Sequence, residues 1–466
     1  MRFGHSKIFG LMKVLKFGGT SVGTIASLRN VKKIVDGLTE PAIIVVSALG
    51  GLTDKLISTA RESAAGSLSF KEEMVSFRKR HADIIEALVI PDRKEIVALE
   101  VSGLLDQLEN IYTGLSLIRD LPENTLNRIV SFGERMSSVI VANIIENAEH
   151  HDSLNFIKTE KWFDRNIADR QLTDNLIVKE YTLPLQRHCV MGGFISRDRD
   201  SGEITNLGRG GSDYTAALVA AALDADSLEI WTDVDGFMTA DPRIIQSARV
   251  IPQMSYIESM ELCSFGAKVV YPPTIYPVFH KNIPVKILNT FNPEAPGTLI
   301  SDGCESLPKE VRGISSVKNT SIVTVTGSLT GNVAEINSRT YNTMARNGIS
   351  VFLVSQPDQE SSFSVAMPEA DMEKALSSLR SEFAPELQNG EILSIAGATG
   401  LSIVAVVGEC VKKLSGLGAR LINSLQRENI GVKAVSDGAS DTTIAIVVDG
   451  NETQSALSII HDACFG

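Results

Sequence analysis

An internal repeat in the C-terminal part of the sequence constrains the fold more than any other feature. The stretch "SIVTVTG" at 321–327 returns as "SIVAVVG" at 402–408, an offset of 81 residues. At the same offset and without a gap, "NGISVFLVS" at 347–355 pairs with "ENIGVKAVS" at 428–436, and "SSFSVAM" at 361–367 pairs with "TTIAIVV". Each copy has the pattern of a strand, a helix and two strands, with another helix after them. We therefore predict two βαββαβ-like (ferredoxin-like) units of roughly 70–80 residues, which are more typical of a regulatory module than of a catalyst.

The larger N-terminal part predicts a different architecture. Short β-branched runs at 42–48, 228–234 and 284–290 alternate with helical stretches, and residues 55–150 have a mostly helical pattern. Strands separated by helices indicate an α/β domain, with a mainly parallel sheet covered by helices on both faces in three αβα layers. Pro, Gly and Ser cluster in "FNPEAPGTLI" and "SLPKEVRGISS", which predicts a domain boundary near 300–316.

Composition and charge exclude several classes of protein. With 43% hydrophobic and 21% charged residues, a chain of 466 residues can bury a core in each domain. The net charge of -12 argues against nucleic acid as a partner, although a local site can still bind phosphates. The five cysteines are scattered without paired spacing, which predicts inert thiols in a reducing compartment. No apolar run approaches the ~18 residues of a membrane span. We expect a cytoplasmic protein with no membrane partner, in which residues 1–11 are a dispensable extension.

The stretch "KVLKFGGTSVG" at 13–23 places a lysine inside an apolar strand that ends in two glycines. One interpretation is a lysine that reaches solvent before an ordinary strand-to-helix turn. The other is an anion site, in which Gly18 and Gly19 let backbone N–H groups approach an oxyanion and Lys16 neutralises charge. The stretch matches neither the P-loop nor the dinucleotide-binding pattern, so a phosphate site here would be of another design.

Two further glycine-rich or acidic stretches suit an anionic ligand. In "LGRGGSDYTAALVAAAL" at 207–223, glycines precede a helix of small residues, Arg209 can fork onto a carboxylate or phosphate, and Asp213 can hold a lysine or a metal. The alternative is a capped helix after a glycine loop. In "WTDVDGFMTADPR" at 231–243, acidic residues follow a strand, at the end where ligands bind in open α/β sheets. An ordinary Asx-rich loop is the alternative there.

Two charged residues have an ambiguous pattern. In "VSFGERMSSVIVANIIE" at 130–146, Glu134 lies about 200° around the helix from Phe132 and therefore off the apolar face. Spacing alone favours a solvated Glu134, although the carboxylate is also free to bind an amino group. In "SFGAKVVYPPT" at 264–274, Lys268 is either a surface lysine or a phosphate contact.

Together these stretches resemble the aspartate kinase family. The motifs "KFGGTSVG", "VVSALGGLTDKL", "SFGERMS", "GRGGSDYTAAL", "EIWTDVDG", "TADPR" and "SFGAKVVYPPT" occur in that family's order, followed by a tandem pair of ACT-type units. The resemblance extends from Met12 to the end of the chain. It implies an amino-acid kinase domain at 12–305 and ACT domains at 316–395 and 396–466.

The resemblance implies transfer of the ATP γ-phosphate to the β-carboxylate of L-aspartate, giving 4-phospho-L-aspartate for lysine, threonine and methionine synthesis. A carboxylate is already an adequate nucleophile, so no Ser–His or Cys–His arrangement is required. The reaction needs two anions brought together and charge stabilised on the moving phosphoryl group. ATP chemistry implies Mg²⁺, but no dedicated metal cage is visible in the sequence.

The resemblance also assigns roles to individual residues. Lys16 and Asp213 would be catalytic, with Asp213 orienting Lys16. Glu134 would bind the α-amine of aspartate, and Arg209 its α-carboxylate. The other residues expected to shape the aspartate pocket are Ser47, Thr53, Phe194 and Ser212. The residues expected at the nucleotide are Lys16, Phe17, Gly18, Gly19, Thr232, Asp233, Met238, Arg243 and Lys268. Met238 stands where many relatives have an aromatic residue.

The C-terminal units most resemble the regulatory half of the threonine-sensitive bifunctional aspartate kinase–homoserine dehydrogenases. Gln356, in "FLVSQPDQESSFSVA", matches a residue that binds threonine there, and Asn332 would join the effector site. The equivalent position of the second repeat is Asp437, which leaves lysine open as the effector. The resemblance implies a monofunctional kinase, with a homodimer or higher homo-oligomer joined through the ACT units. The alternatives are a glutamate or acetylglutamate kinase and an amino-acid sensor with an inactive kinase domain.

Overall fold

The structure is a computed structural model that describes residues 12–162, 165–302, 311–328, 333–355, 362–409, 411, 416–436 and 441–466. The described residues form two compact units. The first comprises 12–237, Pro252–Tyr256 and 269–302, and the second comprises Met238–Ile251, Ile257–Lys268 and the described residues from 311 onward. Among the described residues, no helix combines the length and the apolar character that crossing a membrane requires.

Helices and strands alternate along most of the chain. The α-helices are α1 (Ile25–Asp36), α2 (Leu52–Ala64), α3 (Phe70–Leu88), α4 (Lys94–Ile118), α5 (Glu123–Ile144), α6 (Arg170–Glu180), α7 (Gly211–Ala222), α8 (Tyr256–Ser264), α9 (Tyr276–Phe279), α10 (Val333–Arg346), α11 (Met372–Glu382), α12 (Ala384–Asn389), α13 (Leu417–Arg427) and α14 (Thr453–Phe465). The strands are β1 (Lys13–Phe17), β2 (Ile43–Val46), β3 (Ala148–His151), β4 (Lys158–Trp162), β5 (Arg165–Ala168), β6 (His188–Gly192), β7 (Ile195–Asp198), β8 (Ile204–Asn206), β9 (Ser227–Thr232), β10 (Gln253–Met254), β11 (Val285–Asn289), β12 (Thr298–Ile300), β13 (Gly313–Gly327), β14 (Leu353–Ser355), β15 (Ser362–Pro368), β16 (Ile392–Val407), β17 (Ala434–Ser436) and β18 (Thr443–Asp449).

The first unit is built on an eight-stranded sheet in the order β10-β12-β11-β9-β1-β2-β6-β3. Neighbouring strands are parallel except for the antiparallel pair β11 and β12. The central strands are apolar on both faces because helices cover both, and every residue of β2 is buried. A small sheet in the order β5-β4-β7-β8 belongs to the same unit. The predicted α/β fold with a mainly parallel sheet is confirmed.

Strand β1 shows how the two faces differ. Leu15 and Phe17 point into a hydrophobic core that is formed with helices α1 to α5. Because side chains alternate along a strand, Lys16 points to the opposite face, where it meets α7. Helix α1 then begins with a capping box, in which the Thr24 hydroxyl accepts from the Ser27 N–H and the Ser27 hydroxyl accepts from the Thr24 N–H.

The second unit contains the two copies of the repeat in one antiparallel sheet, in the order β14-β15-β13-β16-β18-β17. Each copy packs its own helices over an apolar core, α10 and α11 over the first and α13 and α14 over the second. This arrangement confirms the predicted pair of ACT-type units. The long strands β13 and β16 pair along their length, so that Gly313–Val317 lies against Ile403–Val407 of the second copy. A register shift between Val317 and Thr320 separates this part from the pairing that follows.

Candidate active site

A buried ion pair lies on the α7 side of the sheet in the first unit. Lys16 Nζ is 2.7 Å from Asp213 Oδ1, and the two side chains are only 11% and 12% exposed. Lys16 is on the central strand β1 and Asp213 is in the first turn of α7, so residues far apart in sequence meet because α7 packs across the sheet. The lysine therefore does not reach into bulk solvent, which excludes the first interpretation of this stretch, and the anion site stays a prediction.

The backbone after β1 turns at the predicted glycines. The Gly18 N–H donates to the Trp231 carbonyl at the end of β9 (3.2 Å), and Gly19 lies against the backbone of Ala48 and Gly50. The carboxyl ends of β9, β1, β2 and β6 are neighbours in the sheet, which brings their loops together at one edge. A Cβ at Gly18 would lie 3.5 Å from Lys16 Nζ, so this glycine is next to the lysine ammonium.

Glu134 is a further buried acidic residue of this unit. It lies in the middle of α5, it is 4% exposed, and its Oε1 accepts from the Ala48 N–H at 3.1 Å. Its Oε2 is buried with no hydrogen-bond partner in the described part of the chain. Burial raises the pKa of this carboxyl to about 8, and the Ala48 N–H only partly opposes the shift.

The expectation from spacing that Glu134 is solvated is therefore wrong. Spacing identifies one apolar face, but α5 is buried around most of its circumference, from Asn127 to Ile144. Gly133 allows the close contact with the loop after β2, because a Cβ there would lie 2.7 Å from the Ala48 Cβ. Glu134 is thus held beside Ala48, and Ala48 lies against the glycine loop that follows Lys16.

The loop after β6 packs against the start of α7. The Gly193 N–H donates to the Val46 carbonyl (2.9 Å), and a Cβ at Gly193 would lie 2.7 Å from the Cα of Ser212. Phe194 has a φ of 66°, and its N–H donates to the Thr215 hydroxyl at 3.0 Å. Ser212 is buried, while Arg209 is exposed, with its guanidinium carbon 5.9 Å from the ring centre of Tyr271.

Several other residues predicted at the aspartate or nucleotide site belong to this unit but make no side-chain hydrogen bond or ion pair with Lys16, Asp213 or Glu134 in the described part of the chain. The Ser47 N–H donates to the Phe17 carbonyl (3.1 Å), and Thr53 lies in the first turn of α2. The Phe17 side chain is fully buried and stacks on Trp231. At the end of β9, the Thr232 hydroxyl donates to Asp233 Oδ1 (3.2 Å), and Asp233 is exposed.

Three residues predicted at the nucleotide belong to the second unit. Met238 forms an antiparallel bridge with Val250. Arg243 is 85% exposed and binds Asp241 of its own loop with two hydrogen bonds of 2.7 and 2.9 Å. Lys268 is exposed. The effector residues Asn332, Gln356 and Asp437 lie outside the described residues.

The sequence reasoning missed two groups of supporting contacts. Arg80, on α3, donates to the carbonyls of Gly23 (2.8 Å) and Gly50 (2.9 Å), and so ties the loop after β1 to the loop after β2. Ser21 bonds Thr290 (2.7 Å) through their hydroxyls, beside the end of β9. Only Ser21 stands in a recognisable motif, and no local signal distinguishes Arg80 or Thr290 from surface residues.

Comparison with known proteins assigns the class of this fold. The Amino acid kinase family profile matches residues 12–289, and an ACT domain profile matches 323–383 and 404–464. Because the first match covers more than half of the sequence, the chain belongs to the amino acid kinase family, here with a tandem pair of ACT domains.

Individual relatives point to a narrower group. The bifunctional aspartokinase/homoserine dehydrogenase of Haemophilus influenzae is 32% identical over 97% of this chain and 56% of its own length. The lysine-sensitive aspartokinase 3 of Escherichia coli is 28% identical over 97% of this chain and 99% of its own length. The crystal structure of E. coli aspartokinase III with aspartate and ADP superposes with a TM-score of 0.82, at 27% identity, over 98% of this chain and all of that one. The chain spans about half the length of the bifunctional relatives that it matches.

Proposed function

We propose that this chain is an aspartate kinase, which transfers the γ-phosphoryl group of ATP to the β-carboxylate of L-aspartate and forms 4-phospho-L-aspartate. This reaction is the first step of lysine, threonine and methionine biosynthesis. The observation that carries the proposal is that one unit contains both the buried Lys16–Asp213 ion pair and the buried carboxyl group of Glu134. Lys16 is already neutralised by Asp213, whereas the buried Oε2 of Glu134 has no partner in the described chain. Similarity to aspartokinases along nearly the whole chain supports the same reaction.

On the phosphoryl side, the residues supply positive charge and backbone donors. Asp213 holds Lys16 in place at 2.7 Å, so the ammonium is positioned before the nucleotide arrives. Lys16 and the Gly19 N–H then stabilise the negative charge that spreads over the phosphoryl oxygens in the transition state, while Gly18, whose N–H is held by the Trp231 carbonyl, turns the chain beside the lysine. Thr232 and Asp233, at the end of the neighbouring strand, extend this site toward the rest of the nucleotide. We also retain Met238, Arg243 and Lys268 as proposed nucleotide residues.

On the acceptor side, the residues orient aspartate rather than activate it. The free Oε2 of Glu134 is a buried acceptor that suits the α-ammonium of an amino acid. Arg209 is exposed beside Tyr271 and free to bind the α-carboxylate with its planar fork. Ser212, Phe194, Ser47 and Thr53 complete the pocket. With both ends of the amino acid held, the β-carboxylate can meet the phosphoryl group in line.

The metal requirement follows from the nucleotide. Among the described residues, the only group of three or more potential metal ligands is Glu149, His151 and Cys189, which are not residues of the proposed phosphoryl site. The residues around Lys16 therefore do not form a cage for Mg²⁺. We propose that Mg²⁺ enters with ATP, bound mainly by phosphate oxygens and water.

The test is ADP release from Mg-ATP with purified full-length chain and L-aspartate, L-glutamate or N-acetyl-L-glutamate as acceptor. We expect turnover with aspartate alone. Lys16→Ala should lower kcat at least ~100-fold, because one preorganised donor to the transition state is lost. Lys13→Ala is the matched control, since Lys13 is on the same strand but binds Glu229 at 3.0 Å, and its kcat should stay near wild type. Turnover with L-glutamate or N-acetyl-L-glutamate would contradict the proposal that L-aspartate is the substrate. Tight threonine or lysine binding without any turnover would favour an amino-acid sensor.

We also propose feedback control through the ACT domains by threonine or lysine, with Asn332, Gln356 and Asp437 at the effector site. The named lysine sensitivity of an E. coli relative supports an amino-acid effector of this kind. The same proposal includes a homodimer or higher oligomer formed through the ACT domains and a cytoplasmic location. It also keeps the domain bounds 12–305, 316–395 and 396–466. Repeating the ADP assay with added threonine or lysine identifies the effector, and turnover insensitive to both would leave the ACT domains a purely structural role.

A further inference from the structure

A second cluster of chemically active side chains lies at the β3 edge of the eight-stranded sheet. Glu149 and His151 are two residues apart on the edge strand β3 and therefore project from the same face, and Cys189 lies directly opposite Glu149 on the neighbouring strand β6. One ligand atom from each of the three residues lies within 4.8 Å of the others. None of them belongs to the proposed phosphoryl-transfer site.

The spacing of these atoms is that of ligands around one tetrahedral metal ion. His151 Nε2 is 3.1 Å from Glu149 Oε1, and Cys189 Sγ is 3.7 Å from the same oxygen. Zinc bonds of ~2.0–2.3 Å at tetrahedral angles place neighbouring ligand atoms roughly 3.3–3.8 Å apart. The two measured distances lie at or close to this interval, so an ion could enter with small rotations of the side chains.

The other nitrogen of His151 has the partner that metal-bound histidines usually have. Glu180, at the end of α6, has its Oε1 2.7 Å from His151 Nδ1. With an ion bound at Nε2, the Glu180 carboxylate would accept the Nδ1–H and fix the orientation of the ring, as carboxylates do for metal-bound histidines. Tyr181 packs against the imidazole at a ring distance of 5.0 Å and further fixes its orientation.

We propose that Glu149, His151 and Cys189 bind one Zn²⁺ ion, with Glu180 orienting the histidine and a water molecule as the fourth ligand. A thiolate, an imidazole and a carboxylate together favour zinc over the hard cations Mg²⁺ and Ca²⁺, which prefer oxygen alone. The Glu149 side chain is 49% exposed, so the ion has a path from solvent, whereas Cys189 is buried beneath it. The ion would fasten the edge strand β3 to β6 and to the end of α6.

Binding would release a proton from the thiol. Zinc would bind Cys189 as a thiolate, and the charge of the ion would offset the Glu149 carboxylate beside it. The site is independent of the kinase proposal, since it uses none of the same residues.

The test is titration of chelator-stripped full-length protein with Zn²⁺, in competition with a fluorescent zinc indicator. We expect one ion per chain with a Kd below ~1 µM, and a rise of a few degrees in Tm at saturating Zn²⁺. Cys189→Ser and His151→Gln should each weaken this binding at least ~100-fold, and Glu180→Gln by about 10- to 100-fold. Cys464→Ser removes another free thiol and is the matched control, for which binding should be unchanged.

Two further measurements keep the outcome clear if a buried variant folds poorly. Glu149→Gln changes an exposed side chain and should weaken Zn²⁺ binding without loss of secondary structure by circular dichroism. With Co²⁺ as the probe, the wild-type chain should show thiolate-to-metal charge-transfer absorption that Cys189→Ser lacks. No ion bound by the wild-type chain, or binding that survives both Cys189→Ser and Glu149→Gln, would overturn the proposal.

Discussion

The unpartnered carboxylate oxygen of Glu134 makes a quantitative prediction about aspartate binding. Burial raises the pKa of Glu134 to about 8, so the carboxyl group is mostly protonated at pH 7. To bind the α-ammonium of aspartate, the group must be a carboxylate. Binding should therefore release a proton from Glu134, and aspartate should bind more tightly as the pH rises.

The size of the proton release follows from the difference between the pKa of Glu134 and the pH of the experiment. At pH 7, below this pKa, most of the Glu134 side chains hold a proton. Aspartate binding should then release most of one proton per site, and deprotonation costs on the order of 1 kcal/mol of binding free energy at this pH. The apparent Kd for aspartate should fall roughly tenfold from pH 6 to pH 7 and level off above pH 8.

The assay is isothermal titration calorimetry of aspartate into the full-length chain at pH 7, in buffers that differ in ionisation enthalpy. The slope of the observed enthalpy against the buffer enthalpy gives the number of protons released. Glu134→Gln is the control, because the amide keeps the shape of the side chain but cannot titrate. Its aspartate binding should be much weaker and independent of pH between 6 and 8.

Two results would refute this reasoning. Proton release near zero for the wild-type chain would mean that Glu134 is already ionised or that it does not meet the ammonium. Proton release unchanged in Glu134→Gln would assign the titration to another group, and the role of Glu134 as the amine ligand would be lost.

Three other substitutions test separate parts of the site, two by steady-state kinetics and one by stability. Asp213→Asn should lower kcat by about 10- to 100-fold with little change in the KM for aspartate, because the Lys16 ammonium loses a charged partner at 2.7 Å. A changed KM with a normal kcat would contradict the role of Asp213 in positioning Lys16. Arg209→Lys should raise the KM for aspartate about tenfold or more, since lysine has no planar fork, and an unchanged KM would remove Arg209 from the pocket. Gly193→Ala would place a Cβ 2.7 Å from Ser212 and should cost about 1–3 kcal/mol of stability, measured by chemical denaturation. Its control is Gly103→Ala on α4, where a Cβ meets no atom within 4 Å, and equal stability of the two variants would argue against the close contact.

The features that could be predicted from the sequence are those with a local signal. Alternating strands and helices indicate a parallel sheet, and the repeat at a constant offset indicates two related units. The pairing of Gly313–Val317 with Ile403–Val407 has no such signal. A repeat reveals that two copies exist, but which strands of the copies meet depends on how their sheets join.

The candidate site was predictable where glycines and charged residues fall in short motifs, as they do around Lys16 and Asp213. It was not predictable where a contact depends on packing at long range. Arg80 resembles any other arginine of an amphipathic helix, yet it joins two loops of the site. Glu134 was misjudged from spacing for the same reason, since the burial of α5 is decided by the elements around it and not by its own periodicity.

Lys16 has a partner in the structure and Glu134 Oε2 has none among the described residues, and this difference suggests how the site selects its acceptor. Lys16 has its counter-charge from Asp213 before any ligand binds, so the phosphoryl side is prepared in advance. The Oε2 of Glu134 has no partner in the described chain, and leaving it unpaired in a complex costs free energy. A ligand with a free ammonium group removes this cost, whereas an N-acetylated amino acid has only a neutral amide and cannot neutralise the carboxylate. In its proposed role as the amine ligand, Glu134 would favour a free amino acid over an N-acetylated one, which would distinguish an aspartate kinase from an acetylglutamate kinase.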